Sequence, residues 1–203
     1  MRFEERQILL KNGTTCTLRP TTSEYAQEMI DYMRQTAAET PFLLRNPDEV
    51  RFTLEKEREL LDYIYGDEHS VMMLALVDGK VAGNSSINGM GEKRRVWHRC
   101  SLAIALKKEY WGLGIGTAMI RYLTELAKQI GYEQMELEVV DGNDRAKALY
   151  EKCGFVETGR HINAMKYDDG TYRDEILMYK SLRPITPFFS NSTSSPASAS
   201  LMP

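Results

Sequence analysis

The chain has 203 residues, of which 42% are hydrophobic and 27% are charged, a balance typical of one soluble globular domain. Its net charge of −3 argues against a general nucleic-acid binder, which would carry a basic excess. The longest purely apolar stretch, residues 71–77, is far shorter than the roughly 20 residues that span a bilayer, so no membrane partner is expected.

The cysteines and histidines indicate neither disulfides nor a metal site. Cys16, Cys100 and Cys153 are odd in number and widely spaced, which is typical of reduced thiols in a cytoplasmic protein. The three histidines are equally scattered and no Cys-x-x-Cys pair occurs, so no metal is expected. The charged N-terminus does not resemble a secretion signal.

The last 20 residues differ from the rest of the chain. Residues 184–203 carry no charge and are dominated by Ser and Pro. Such a composition cannot bury enough apolar surface to offset its ordering entropy. We therefore predict a single domain over residues 1–183, followed by a tail that is disordered beyond Asn191.

The apolar periodicity predicts, in chain order, a strand, two helices, three strands, a helix, a strand, a helix and two strands. The predicted strands cover residues 14–19, 70–77, 80–88, 94–106, 133–140, 155–167 and 172–180. The predicted helices start at Ser23, at Val50, at Thr117 and at Asn143. Asp78-Gly79 is a strong hairpin signal, because both positions of its turn need a positive φ. The order indicates an α/β (α+β) protein, a mixed sheet with helices packed on it.

The most informative segment is a glycine-rich turn that leads from a strand into an amphipathic helix. Glycines at 112, 114 and 116 let the backbone approach a ligand without a Cβ in the way. The helix start adds unpaired N–H groups and a positive dipole end, which suit a phosphate. No P-loop string occurs, and Thr117 and Met119 break the two registers of a dinucleotide fingerprint. Two interpretations stay open: the pyrophosphate loop of an acyl-coenzyme A binder, and a tight turn without a ligand.

Three side chains outside the turn are candidates for chemistry. Asn143 and Tyr150 are seven residues apart on one short helix, so they share a face about 10 Å apart. Asn143 can equally be a helix N-cap, and Tyr150 a packed aromatic. A buried phenol has a pKa of roughly 10, close enough to that of a thiol to protonate a leaving thiolate. Strand alternation places Glu136 and Glu138 on one face, where Glu138 is the candidate base and Glu136 fits a solvated face better.

These strings resemble the GCN5-related N-acetyltransferase (GNAT) family. Residues 110–117, YWGLGIGT, match the family's glycine loop, with Trp111 in place of its usual Gln or Arg. Residues 143–155, NDRAKALYEKCGF, match the pattern N-x-x-A-x-x-[LF]-Y-x-x-x-G-F at every fixed position. The resemblance covers about residues 14–182 and implies a central mixed, mostly antiparallel sheet flanked by helices.

The resemblance implies direct transfer of an acetyl group from acetyl-coenzyme A to a primary amine of a small molecule or of a peptide or protein N-terminus. The pyrophosphate would be held by the backbone of Gly112, Leu113, Gly114, Ile115, Gly116 and Thr117. The pantetheine arm would bind Asn143 and the strand residues Ile104, Ala105 and Leu106. A non-catalytic acyl-coenzyme A sensor is the alternative, and a homodimer is compatible with either function.

The same resemblance implies the catalytic roles. Tyr150 would be the general acid at the coenzyme A sulfur. Glu138 would be the general base, as in the family's ribosomal-protein N-terminal acetyltransferases. Ser101 stands where similar members often carry Glu, so His98 and an activated water stay open as alternative bases.

The acceptor amine is expected where the first two helices meet the last hairpin. Acidic side chains there would favour a cationic amine. The candidate lining residues are Tyr32, Glu39, Phe42, Tyr172 and Glu175.

Overall fold

The computed structural model describes residues 2–183, so the predicted tail, with its expected disorder beyond Asn191, lies outside the described residues. The strands are β1 Arg6–Leu9, β2 Thr15–Pro20, β3 Ser70–Val77, β4 Lys80–Gly89, β5 Arg99–Leu106, β6 Gln134–Val140, β7 Val156–Lys166 and β8 Tyr172–Ser181. The α-helices are α1 Ala26–Glu39, α2 Leu54–Gly66, α3 Ile115–Ile130 and α4 Asp144–Lys152.

The eight strands form one sheet in the order β1-β2-β3-β4-β5-β6-β8-β7. Every neighbouring pair is antiparallel except β5 with β6, which is parallel and is joined by the crossover helix α3. The predicted mixed, mostly antiparallel sheet is therefore confirmed. None of the helices in the described part of the chain is long and apolar enough to cross a membrane.

Helices cover both faces of the sheet and bury two apolar clusters. On one face α3 contributes Met119, Ile120 and Leu123, none of which has any exposed surface. On the other face α1 and α2 pack Met29 and Leu61 against the sheet. Gly131 ends α3 with φ 104°, the left-handed C-cap that the sequence predicts. The two helix layers thus pack against the sheet on either side of the site described below.

The structure corrects several predicted boundaries. The sequence does not predict strand β1, because the four residues Arg6–Leu9, two polar followed by two apolar, carry no alternation. Strand β5 begins at Arg99 rather than at residue 94, because residues 93–99 close on themselves through turn hydrogen bonds. Helix α2 begins at Leu54 rather than at Val50, since the Thr53 hydroxyl accepts a hydrogen bond from the amide three residues on and so caps it.

The cysteines are free, as the sequence predicts, and all three are buried. Burial raises the pKa of Cys100 to about 12 and that of Cys16 to about 11. Such thiols are largely protonated at neutral pH, and they therefore act as small apolar side chains.

Candidate active site

The site begins where the parallel pair β5–β6 comes apart. Only three residues of each strand are paired, and the last of these pairs is Ser101 with Glu136. Beyond that pair β5 runs on to Leu106 paired only with β4, and β6 runs on to Val140 paired only with β8. One backbone edge of each strand therefore faces an open gap instead of a partner strand.

The alternation of β5 determines which of its backbone groups face the gap. Successive residues of a strand turn their N–H and C=O groups to opposite edges. The carbonyl of Ala105 accepts a hydrogen bond from the Tyr32 hydroxyl on the β4 side. The carbonyl of His98 instead accepts from the amide of Glu133, on the β6 side. The backbone N–H and C=O groups of the odd-numbered residues of β5 thus face β4. Those of the even-numbered residues face β6 where the two strands are paired, and face the gap beyond Ser101.

Because of this alternation, the three residues predicted to hold the pantetheine arm differ in the backbone groups that they can offer to a ligand. Both backbone groups of Ile104 and the N–H of Leu106 face the gap. The Leu106 carbonyl is already engaged, since the Trp111 indole donates to it at 2.8 Å. The backbone of Ala105 faces the opposite edge, so this residue borders the gap without offering it a polar group.

The glycine-rich turn is open. Gly112 and Gly114 have φ of 81° and 101°, and a Cβ at either position would meet nothing within 4 Å. Across residues 2–183, no group accepts a hydrogen bond from the amides of residues 112–117. Three of these amides belong to the first turn of α3, at the positive end of its dipole. The turn therefore presents unpaired donors to a ligand rather than to the protein.

Gly116, the third glycine of the turn, allows close packing. A Cβ at Gly116 would lie 2.9 Å from the Leu149 side chain and 3.5 Å from that of Leu106. Gly116 thus lets α3 approach α4 and β5 closely. The Arg145 guanidinium lies 5.0 Å from the Trp111 ring, which adds a second contact between α4 and the turn. These contacts fix α4 beside the glycine-rich turn.

A cavity of about 610 Å³ adjoins this turn, and its charge suits an anion. Its charged lining residues, within the described part of the chain, are Lys11, Arg145, Lys152 and Asp144. The three cations outnumber the single carboxylate. The sequence does not single out these cations, because only the fold brings the β1–β2 turn next to α4.

Both motif residues of α4 lie at this cavity. The Asn143 side chain accepts a hydrogen bond from the Ala146 amide at 3.3 Å, so it caps the helix while lining the cavity. Tyr150 is 7% exposed, and its ring makes an edge contact with Phe155. Its hydroxyl has no hydrogen-bond partner among the described residues, and burial raises its pKa to about 12. A protonated, unpaired phenol is thus available at the cavity wall.

A second and larger cavity, of about 1100 Å³, lies beside the first. The two cavities share residues of α1, β5 and α4, including Thr36, Ile104 and Tyr150. Tyr150 therefore stands where a ligand in one cavity would meet a ligand in the other.

Three titratable side chains from different strands meet on the wall of the larger cavity. His161 Nδ1 lies 3.8 Å from Glu138 Oε1 and 4.0 Å from Glu175 Oε2. Burial, followed by the nearby charge of Glu138, raises the pKa of Glu175, while His161 lowers it. Since their donor atoms lie within 4.8 Å of one another, the scattered histidine spacing does not by itself exclude a metal. The sequence alone does not indicate a role for His161, because its place depends on the β7–β8 register that sets it opposite Glu175.

The other candidate bases are placed differently. His98 does not line the cavity, and its carbonyl anchors the start of β6. Glu136 does line it, but both of its carboxylate oxygens accept hydrogen bonds from Arg99 at 2.6 Å. This bidentate contact lowers the pKa of Glu136 and neutralises its charge. Within residues 2–183, Glu138 and Glu175 are therefore the carboxylates of the cavity that no arginine neutralises.

Of the five residues predicted to line the acceptor site, three line the larger cavity and two do not. Tyr32, Phe42 and Glu175 line the larger cavity. Glu39 does not, because its carboxylate accepts a hydrogen bond from the Lys108 amide at 2.6 Å. Tyr172 is 51% exposed and also lies outside the cavity.

Comparison with known proteins agrees with this geometry. The model of the acetyltransferase (GNAT) family matches residues 30–155. YdaF of Bacillus subtilis, a proposed ribosomal N-acetyltransferase, is 28% identical over 172 residues, which are 81% of this chain and 87% of that protein. A GNAT-family acetyltransferase from Streptococcus pneumoniae has a TM-score of 0.78 and 28% identity, over 82% of this chain and 99% of that one. A similar fold, with a TM-score of 0.73, 15% identity and coverage of 86% and 98%, occurs in yncA of Salmonella typhimurium, solved with its cofactor acetyl-CoA.

Proposed function

Since the chain belongs to the acetyltransferase (GNAT) family, we propose that it transfers the acetyl group of acetyl-coenzyme A directly to a primary amine. One observation carries this proposal most strongly: the unpaired amides of residues 112–117 open into a cavity with an excess of cations. Backbone donors and cations together fit a diphosphate. The acetyl-CoA seen in the neighbouring structure of similar fold supports the same ligand class.

The residues of the chain divide into two binding regions. The glycine-rich turn would hold the diphosphate, while Asn143 and the gap-facing backbone of Ile104 and Leu106 would hold the pantetheine arm. The thioester would then end near Tyr150, where the two cavities meet. An N–H of β5 that faces the gap can stabilise the negative charge developing on the carbonyl oxygen.

Two side chains would move protons. The Glu138 carboxylate accepts a proton from the acceptor ammonium, directly or through a water, so that the free amine attacks the carbonyl carbon. As the carbon–nitrogen bond forms, the carbon–sulfur bond breaks and the Tyr150 hydroxyl gives its proton to the leaving sulfur. The second proton of the amine nitrogen leaves through water and restores the Tyr150 hydroxyl. Holding both substrates in adjoining cavities supplies the remaining acceleration through proximity.

The acceptor is proposed to be a cationic amine, because the three carboxylates that line the larger cavity, those of Glu136, Glu138 and Glu175, outnumber its two arginines, Arg45 and Arg99. The name of YdaF, a proposed ribosomal N-acetyltransferase, favours an amine of the ribosome among the candidates. A panel of peptide N-termini, polyamines and amino sugars, assayed by thiol release with acetyl-CoA, tests the proposal. Release that depends on one amine class supports the enzyme. Tight binding of acetyl-CoA without release for any amine would favour the sensor instead.

The proposed base predicts a specific loss. Glu138→Gln should lower kcat/KM for the amine by about 100-fold, because glutamine cannot take the ammonium proton. The affinity for acetyl-CoA, measured by calorimetry, should stay unchanged. His98→Gln is the comparison, since His98 lies outside the cavity. A large loss in that variant, with Glu138→Gln fully active, would transfer the base role to His98.

Glu175 gives a prediction about stability. Its raised pKa means that the ionised form is less stable in the folded chain than in the unfolded chain. That penalty is present above the folded-state pKa and disappears below the unfolded pKa. Glu175→Gln should therefore raise Tm by about 1–3 °C at neutral pH. The gain should shrink as the pH falls towards about 4. Thermal denaturation at both pH values measures this, and a lower Tm for the variant at neutral pH would contradict it.

A further inference from the structure

Tyr32 of α1 inserts its hydroxyl into the β4–β5 hydrogen-bond ladder next to the gap. Its hydroxyl donates to the Ala105 carbonyl at 2.7 Å and accepts from the Asn84 amide at 3.2 Å. Asn84 and Ala105 are direct partners in the β4–β5 register. The hydroxyl thus takes the place of one rung of the β4–β5 ladder, the hydrogen bond that the Asn84 amide would otherwise donate to the Ala105 carbonyl. Two residues further along β5, the Lys107 amide donates directly to the Ala82 carbonyl at 2.9 Å.

This contact acts on the peptide group that faces the gap. In a trans peptide the C=O and N–H point in opposite directions. The Ala105 carbonyl points to Tyr32, so the N–H of the same peptide, that of Leu106, points into the gap. A hydrogen bond donated to a carbonyl also polarises its peptide group, which strengthens the N–H as a donor.

Helix α1 holds the same segment at a second point. The Glu39 carboxylate accepts from the Lys108 amide at 2.6 Å. Tyr32 itself is 4% exposed, and burial raises its pKa, so its hydroxyl stays protonated and able to donate. A buried hydroxyl at the interrupted rung and a carboxylate just beyond it thus tie the end of β5 to α1.

We infer that Tyr32 is a positioning residue that aims the Leu106 N–H at the arm of the acyl carrier, an inference that rests on the proposed function. Without the hydroxyl, Asn84 and Ala105 can pair directly, which draws the end of β5 towards β4 and away from the gap. The diphosphate end of the carrier, held by the glycine-rich turn, does not depend on this rung.

Calorimetry on the full chain tests the inference with two ligands, one test variant and one matched control variant. The ligands are acetyl-CoA and the nucleotide half of coenzyme A, which keeps the diphosphate but lacks the arm. Tyr32→Phe should bind acetyl-CoA about tenfold more weakly and the nucleotide half as tightly as the parent does. Tyr132→Phe is the control, because it removes a buried hydroxyl that donates at 2.6 Å to the His69 carbonyl, outside both cavities. It should leave both affinities unchanged.

Equal affinity of Tyr32→Phe and the parent for acetyl-CoA would overturn the inference, and so would an equal loss for both ligands. A parent that binds neither ligand would instead overturn the proposed function, and the inference with it. Hydrogen exchange in the parent gives a readout that needs no variant. The Leu106 amide should be protected by acetyl-CoA and not by the nucleotide half, and an amide that acetyl-CoA leaves unprotected contradicts the inference.

Discussion

Tyr150→Phe should lower kcat by about 100- to 1000-fold while leaving the affinity for acetyl-CoA unchanged. The substitution removes one oxygen that has no hydrogen-bond partner in residues 2–183, so the folded chain loses no interaction. The leaving thiolate loses its proton donor, which slows only the chemical step. Single-turnover measurements of thiol release separate this step from product release.

The controls for this prediction are a second tyrosine and the pH profile. Tyr122→Phe also removes a buried hydroxyl, one that donates to the Glu4 carbonyl outside both cavities, and it should keep the parent's kcat. Because the pKa of Tyr150 is raised to about 12, the acid should stay protonated, and it should cause no alkaline loss of kcat below about pH 10. Unaltered turnover in Tyr150→Phe, with chemistry rate-limiting, would contradict the assignment.

Gly114→Glu should weaken the binding of acetyl-CoA by about 100-fold. The new side chain starts in open space at the beginning of α3, where the diphosphate would bind. A unit charge about 5 Å from a phosphate charge costs about 3 kcal/mol at an effective dielectric constant of 20, which corresponds to this loss. Calorimetry with acetyl-CoA measures the effect.

The matched control lies at the other end of the same helix. Gly131 has φ 104°, close to the 101° of Gly114, and a Cβ there also meets nothing within 4 Å. Gly131→Glu therefore imposes a comparable backbone strain of about 1–2 kcal/mol at a site far from the glycine-rich turn. It should lower Tm and leave the affinity for acetyl-CoA unchanged. An equal loss of affinity in both variants would assign the effect to strain instead of charge.

The local signals in the sequence predicted most of the fold. The Asp78-Gly79 turn adopts positive φ at both residues, and β3 has the predicted bounds Ser70–Val77. The glycine-rich turn and the Asn143 cap are also local, because each depends on residues within one turn of a helix. Such features follow from backbone sterics and short-range hydrogen bonds, which the sequence encodes directly.

The long-range contacts of the site could not be predicted in this way. His161 reaches Glu138 because the sheet order β6-β8-β7 places β7 only one strand away from β6. Glu39 looked like an acceptor contact, yet it bonds the Lys108 amide, 69 residues away. The role of Tyr32 likewise depends on two other elements, because its hydroxyl bridges the Asn84 amide of β4 and the Ala105 carbonyl of β5. Register and strand order set these contacts, and no local pattern reports them.

The proposed function requires that the backbone of the glycine-rich turn binds the diphosphate of acetyl-CoA. An NMR titration of the isotope-labelled chain with acetyl-CoA reports on each of these amides separately. We expect the amide signals of residues 112–117 to shift strongly and their exchange with solvent to slow. Saturable binding that leaves those amide signals unmoved would contradict it.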